Sequence, residues 1–358
     1  MISISFLYKI RLLAIIVLMA ACGNANKEYY TLEDFKNVKK IDVHFHYLTS
    51  DVQFINFATS QNFKLLSPNT DMGVSIYLQW DVAKELLRTN SSEIGFLSSF
   101  SLEKFGKADF PLSVISYISQ CRREGSSGIK IWKNIGMELR DAEGLIVMAD
   151  DPEFAPIFQY LEKNEIPLMA HLGEPLNCWL PIDEMTVHGD KVYYKNNPKY
   201  HMFLHPEMPT YEDQIKARDN LLEKFPDLVF VGAHLGSLEW NLDYLAKYFD
   251  KFPNFYVDIS ARIAHIKNQS SKDRNQIRQF FIKYQDRLLY GTDDAVYDAK
   301  LKNYGQVTEN ILKVWKSDWI YFTTDSTINN VEGLKLPAQV IDNFYYENAK
   351  RIFKLNDF

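Results

Sequence analysis

Cysteine is scarce: Cys22, Cys121 and Cys178 are the only three in 358 residues. They are too few for a disulfide framework, and they have no paired metal-ligand spacing. Basic clusters are missing as well. The formal net charge is -6 and no Lys/Arg-dense run interrupts the chain, so there is no electrostatic footprint for a nucleic-acid backbone. No internal repeat, low-complexity tract or Pro/Gly/Ser-rich linker appears after about residue 40, which argues against a repeat array and against two tethered domains. What is present is ordinary soluble globular composition, 46% hydrophobic and 24% charged. At this length that means either two average domains or one α/β barrel.

The one distinctive apolar run lies at the start. Lys9 and Arg11 precede Leu12–Ala21, a stretch too short to span a bilayer and therefore an export signal in form. It ends in Leu18-Met19-Ala20-Ala21-Cys22, which resembles a bacterial lipoprotein signal, with Met19 where that pattern usually has Leu. The expected organisation is a signal over residues 1–21, lipidation at Cys22, a tether over 22–39 and a catalytic body over 40–358. The alternative is an ordinary signal peptide with a chance cysteine. The protein is thus expected in the bacterial cell envelope, touching membrane only through its anchor, with a small molecule as its substrate and a homo-oligomer left open.

Eight apolar, β-branched runs read as strands: Ile41–Tyr47, Gly73–Leu78, Ile94–Phe100, Gly128–Trp132, Ile166–His171, Leu228–His234, Phe255–Ile259 and Leu288–Tyr290. Helical patterns separate them. Asp150-Asp151-Pro152 opens one whose Phe154, Ile157, Phe158 and Leu161 fall on one face, Thr210 with Asp213 opens another, and Leu238–Phe249 and Ser271–Tyr284 behave alike. Alternating strands and helices imply parallel pairing, and eight units predict an α/β fold of the (β/α)8 TIM-barrel type, with a doubly wound open sheet as the alternative.

In such a barrel the active site lies at the C-terminal strand ends. The first strand ends in His44-Phe45-His46, whose alternation puts both imidazoles on one face, an arrangement suited to a metal. The fifth ends at His171, the sixth at His234, and the eighth in Gly291-Thr292-Asp293, a carboxylate able to bind a metal or act as a base. Each alone has a bland explanation, a structural histidine or a capping aspartate; four histidines and an aspartate on one rim exceed those explanations together.

The ordered set IDVHFHY, GIKIWKN, PLMAHLGEP, VGAHLG, YVDISAR, LLYGTD and the terminal YYENAKRIFKL resembles the amidohydrolase-related family of TIM-barrel hydrolases and decarboxylases, from Lys40 to Leu355. The resemblance implies that His44, His46, His171 and Asp293 hold one divalent metal, with His234 a nearby acid, base or substrate contact. Zinc suits three imidazoles and a carboxylate best, with manganese or another divalent ion as alternatives and a metal-free, lactonase-like site also known in the family. Lys130, inside the fourth strand, is either a carboxylated lysine bridging two metals or an ammonium that meets a substrate carboxylate or Glu138, or snorkels to the rim. Arg262 is a candidate for an anionic substrate group, its alternative being a surface salt bridge. Residues 172–209 form a long insertion after the fifth strand, expected over the mouth, where Trp179, Tyr193 and Tyr194 could wall a pocket; His188, His201 and His205 there are not expected as ligands.

Three functions compete. The first is a hydrolase in which metal-activated water attacks an ester, lactone or amide of a small, anionic or sugar-like substrate, Asp293 taking the proton and His234 polarising the carbonyl. The second is a metal-assisted decarboxylase or hydratase. The third is a lipid-anchored binding protein on a barrel without catalysis, against which the full set of polar strand ends speaks.

Overall fold

A computed structural model of the chain describes residues 27–356 and 358. The signal segment and Cys22 lie outside the described residues. Eight strands, β1 (Lys40–Asp42), β2 (Phe63–Pro68), β3 (Ile94–Ser98), β4 (Gly128–Ile131), β5 (Leu168–Ala170), β6 (Phe230–Gly232), β7 (Phe255–Asp258) and β8 (Leu288–Leu289), pair in parallel in sequence order. The ring closes where the chain continues beyond β1 and β8. The Val43 amide donates to the Tyr290 carbonyl at 3.0 Å and Asp293 to His44 at 2.8 Å, and Phe45–Leu48 then pairs in parallel with Asp294–Tyr297. This is the expected TIM barrel.

Closure is tight. A Cβ on Gly291 would come to 3.0 Å from the His44 Cβ, tighter than an ordinary contact, so glycine there lets the eighth strand pass close to the first without displacing His44. Inside the barrel, Ile41, Val43, Leu66, Leu97, Met169, Val231 and Leu289 pack on Ile352, Phe353, Leu355 and Phe358 of the terminal segment, which plugs the end opposite the strand termini that carry the site. A larger layer outside the barrel buries Phe45, Phe63 and Trp315, the last two stacked at 4.0 Å between ring centroids.

One strand falls elsewhere than the sequence pattern placed it. Residues 73–78 do not form the second strand. Phe63–Pro68 does, and Ser75 instead caps a helix, Ile76–Asn90, by accepting from the Tyr77 amide. Ile76, Trp80, Ala83 and Leu86 are the buried face of that helix, a spacing near 3.6 that a window ending at Leu78 truncates. The Thr210–Asp213 capping box and the Asp151 cap form as expected, and Asn164 ends the helix Ala155–Lys163. Residues 172–209 fold into short helical turns and one helix, His188–Asn196, around buried Cys178, Met185, Tyr194 and Met202.

Candidate metal centre

Between Lys40–Asp42 and Phe45–Leu48 the strand alternation slips. Val43 belongs to the inner barrel core, yet the next residue, His44, also faces inward, while Phe45 and Tyr47 join the outer layer. The slip sends His44 and His46 together to the barrel mouth. Buried Asp42 fixes it: its carboxylate accepts from the amides of His44 (3.3 Å) and Thr292 (3.0 Å), from the Thr292 hydroxyl (2.7 Å) and from the Trp315 indole (3.2 Å). Burial pushes this carboxyl up to about 7 against those four donors, which favour its charged form.

Thr292 leads into Asp293, held at φ +67°, a left-handed conformation costly for a non-glycine residue. There its Oδ1 stands 3.3 Å from both His44 Nε2 and His46 Nε2. The ligating atoms of His44, His46 and Asp293 lie within 4.8 Å of one another. His46 Nδ1 donates to the Pro68 carbonyl at 3.1 Å, and His44 Nδ1 meets Asp258 Oδ2 at 3.0 Å. Each ring thereby turns an Nε2 lone pair to the centre, the orientation that metal-binding histidines adopt. Asp293 keeps an exposed edge in the open mouth; the desolvation it does suffer opposes ionisation, but His44, His234 and His46 outweigh it and hold the carboxyl well below the usual range. Two imidazole Nε2 atoms and a carboxylate oxygen converging within 4.8 Å fit a divalent cation.

Beyond β6 the chain makes a run of left-handed residues, His234, Leu235, Gly236 and Ser237, all near φ +60°. Gly232 and Gly236 permit it, because a Cβ on Gly232 would lie 2.8 Å from the Gly236 Cα. The turn lays the His234 ring 4.9 Å from His44 and 4.3 Å from His171, centroid to centroid. His171 is buried, and its Nε2 has no hydrogen-bond partner, Glu174 Oε2 standing 3.6 Å away. Burial, partly offset by Glu174, lowers its pKa to about 4, so the ring is neutral at pH 7. His171 lines the same cavity as the His44–His46–Asp293 cluster without joining the three in close convergence.

That cavity, about 450 Å³, is walled by Leu48, Met72, Trp132, Tyr193, Tyr200 and Tyr297, and reached by Lys130 and Lys133. Lys130 is fully buried and contacts His44 Nε2 at 3.2 Å rather than exposed Glu138. Burial, opposed by Asp258 and Asp293, lowers its pKa to about 8. Lys133 pairs with Glu174. Burial would raise the Glu174 carboxyl, but Lys133, His171 and Arg262 hold it far below normal.

The other expected substrate contacts sit apart from this lining. Arg262 is buried rather than on the surface, and its Nη2 lies 3.9 Å from Glu174 Oε2. Trp179 donates its indole N–H to Pro209 O at 3.2 Å and packs on Tyr211. From the insertion, Tyr193 and Tyr200 reach the cavity. His201 and His205 face the carbonyls of Leu180 and Pro198, and His188 is exposed. Sequence reasoning passed over Asp258, Ser260, Glu174 and Lys133. The rule that found Asp293, a carboxylate closing an apolar strand, would have found Asp258 at the end of β7.

Comparison with known proteins adds the family. A family model described as amidohydrolase matches residues 135–355, a stretch holding His171, His234, Asp258 and Asp293 but not the first-strand histidines. No curated protein matches the chain. Among solved structures, an amidohydrolase II is 17% identical with a TM-score of 0.52, covering 88% of this chain and 100% of the other. The 2,6-dihydroxybenzoate decarboxylase from Rhizobium is 14% identical with a TM-score of 0.51, over 89% and 99%. The 5-carboxyvanillate decarboxylase from Novosphingobium aromaticivorans, solved with manganese and 4-hydroxy-3-methoxy-5-nitrobenzoic acid, is 13% identical with a TM-score of 0.52, over 92% and 99%. At these identities the likeness is one of fold.

Proposed function

Since the chain belongs to the amidohydrolase family, we propose that it is a metal-dependent hydrolase of a small, planar or sugar-like, anionic substrate. The convergence of His44, His46 and Asp293 within 4.8 Å at the closing strands of the barrel carries this reading. His171 is the proposed fourth ligand, supported by a neutral ring whose buried Nε2 lacks a partner. A divalent ion held there, zinc foremost with manganese as the alternative, would supply a Lewis acid that polarises a carbonyl and makes water reactive near pH 7.

The side chains divide the remaining work. Asp293, kept ionised by the imidazoles around it, accepts the proton given up by the attacking water. His234 donates from Nδ1 to the Ser260 carbonyl at 2.9 Å, which leaves Nε2 an acceptor. That tautomer suits it to relay to the leaving group the proton that Asp293 has taken, rather than to polarise a carbonyl, and burial, which holds its pKa well below normal, favours giving that proton up. Lys133, set among Trp132 and Tyr200 with its charge partly answered by Glu174, meets the substrate's anionic group while the aromatic rings flank its flat body. Arg262, close to Glu174, helps keep that carboxylate charged.

A metal-assisted decarboxylase is the second reading, favoured by the same combination of aromatic walls and a lysine, which suits a ring carboxylate. Export and acylation at Cys22 are proposed from the sequence pattern alone. Elemental analysis, together with a screen of lactones, esters, N-acyl compounds and aromatic carboxylates that follows both acid release and carbon dioxide, tests the reading. About one ion per chain and acid release are expected. Close to two ions with added mass on Lys130 would replace the mononuclear site by a bridged pair, and carbon dioxide release would select the lyase.

A further inference from the structure

On the premise that a divalent ion binds at His44, His46 and Asp293, we propose that Asp258 and Ser260 are a positioning pair that sets the tautomer of His44 and joins it to His234. Asp258 closes β7 with its carboxylate fully buried. Its Oδ1 accepts from the amides of His234 (2.8 Å) and Ser260 (3.1 Å) and from the Ser260 hydroxyl, while Oδ2 faces His44 Nδ1 at 3.0 Å. One carboxylate thus holds the His44 ring and the backbone that aims His234.

Two contacts on opposite sides of the His44 ring assign the same tautomer. A carboxylate can only accept, so Nδ1 carries the proton toward Asp258. The Lys130 ammonium can only donate and hydrogen-bonds Nε2 at 3.2 Å, so Nε2 presents a lone pair; Asp293 Oδ1, 3.3 Å from the same atom, makes an ion-pair contact with it but no hydrogen bond. Ser260 completes the pattern. Its hydroxyl gives its proton to Asp258, leaving oxygen lone pairs 2.9 Å from His44 Nδ1 and 3.1 Å from His234 Nδ1, and its carbonyl accepts from His234 Nδ1 at 2.9 Å. Both histidines are therefore protonated at Nδ1 with their lone pair on Nε2, the arrangement that an ion requires of His44 once it displaces the Lys130 ammonium from that lone pair.

Asp258→Asn keeps the shape and reverses the message. The amide oxygen serves the three donors at Oδ1, so the NH2 faces His44 Nδ1 and drives the proton toward Nε2, the atom aimed at the ion, against the Ser260 oxygen at Nδ1 and the Lys130 ammonium at Nε2. Metal affinity, measured by equilibrium dialysis with Zn²⁺ or Mn²⁺, should fall roughly 10- to 100-fold, the usual effect of losing an outer partner of a metal-binding histidine. Asp258→Ala should lose less affinity, because the Ser260 oxygen still accepts from Nδ1, yet more thermal stability, because it leaves the buried donors of His234 and Ser260 unanswered. A merely structural aspartate predicts the opposite order in affinity, with Ala worse than Asn there as well as in stability.

Imidazole ¹⁵N NMR of the metal-free protein reads the tautomer directly: Nδ1–H at His44 in the wild type, Nε2–H in Asp258→Asn. Unchanged affinity or an unchanged tautomer in Asp258→Asn, or a larger affinity loss in the Ala variant, overturns the proposal. If the wild type binds no ion, the metal reading fails instead, and the NMR comparison still decides the role of Asp258. Should Asp258→Ala not fold, Ser260→Ala takes its place, with a smaller affinity loss than Asp258→Asn expected and an equal or larger one counting against the pair.

Discussion

Removing the His46 imidazole should abolish the stabilisation that a divalent ion confers. An ion that binds only the folded chain stabilises it by about 2.7 kcal/mol at a free concentration 100 times Kd. Unfolding entropy is near 2.1 cal/mol/K per residue, so the roughly 330 described residues give about 0.7 kcal/mol/K, and that stabilisation raises Tm by about 4 °C. His46 is part-exposed, with Nδ1 bonded to the Pro68 carbonyl and Nε2 3.3 Å from Asp293 Oδ1. His46→Ala should therefore cost only about 1 kcal/mol of metal-free stability. With affinity down 100-fold or more, the same concentration stabilises by at most about 0.4 kcal/mol, a shift under about 1 °C. His188, exposed on the insertion, provides the contrast: His188→Ala should keep the full shift. Differential scanning fluorimetry with and without Zn²⁺ makes the comparison without knowing the substrate. A full shift in His46→Ala, with its loss in His188→Ala, would move the metal to the insertion and refute the barrel-mouth site.

Asp293→Asn should lower turnover by at least about 10² to 10⁴, the usual cost of a lost proton acceptor, and His171→Ala, which removes a metal ligand, should lose nearly all of it; steady-state rates within tenfold of wild type would remove those roles. Stability should fall on acidification from about pH 6.5 to 4. The unfolded chain takes a proton on His171 across that window, whereas the buried ring, with a pKa of about 4, refuses it until the bottom, a difference on the order of 3 kcal/mol. Urea titrations of His171→Gln should show a flatter profile there, and an unchanged profile would count against a buried neutral ring. Mass spectrometry of protein from native membranes should find Cys22 at the N-terminus and acylated; a soluble chain with its first residues intact would defeat the anchor.

The histidines were legible because a strand converts sequence spacing into direction. His44 and His46, two apart, share a face, and residues that end an apolar strand of a barrel converge on one rim. Phe63–Pro68 was not legible for the complementary reason. A parallel strand covered on both faces shows no alternation, and here all but Lys64 are buried, so Val74 and Ile76 drew the assignment to what is a helix start. Trp179 marks a second limit. An irregular insertion has no period from which to read direction, and of its aromatics Tyr193 and Tyr200 turn to the cavity while Trp179 and Tyr194 pack the insertion itself.

Asp258 shows a third limit, and the one that bears most on mechanism. It sits at a strand end like Asp293, but its carboxylate is consumed by His44, His234 and Ser260. Nothing in local spacing distinguishes a carboxylate that meets the ion from one that orients the ring beside it. The distinction depends on the slip at Val43–His44 and the left-handed turn after β6, two backbone departures that bring residues more than 200 positions apart within hydrogen-bond distance. Strand periodicity locates the rim; departures from it decide which polar atoms on the rim face inward and which hold the others in place.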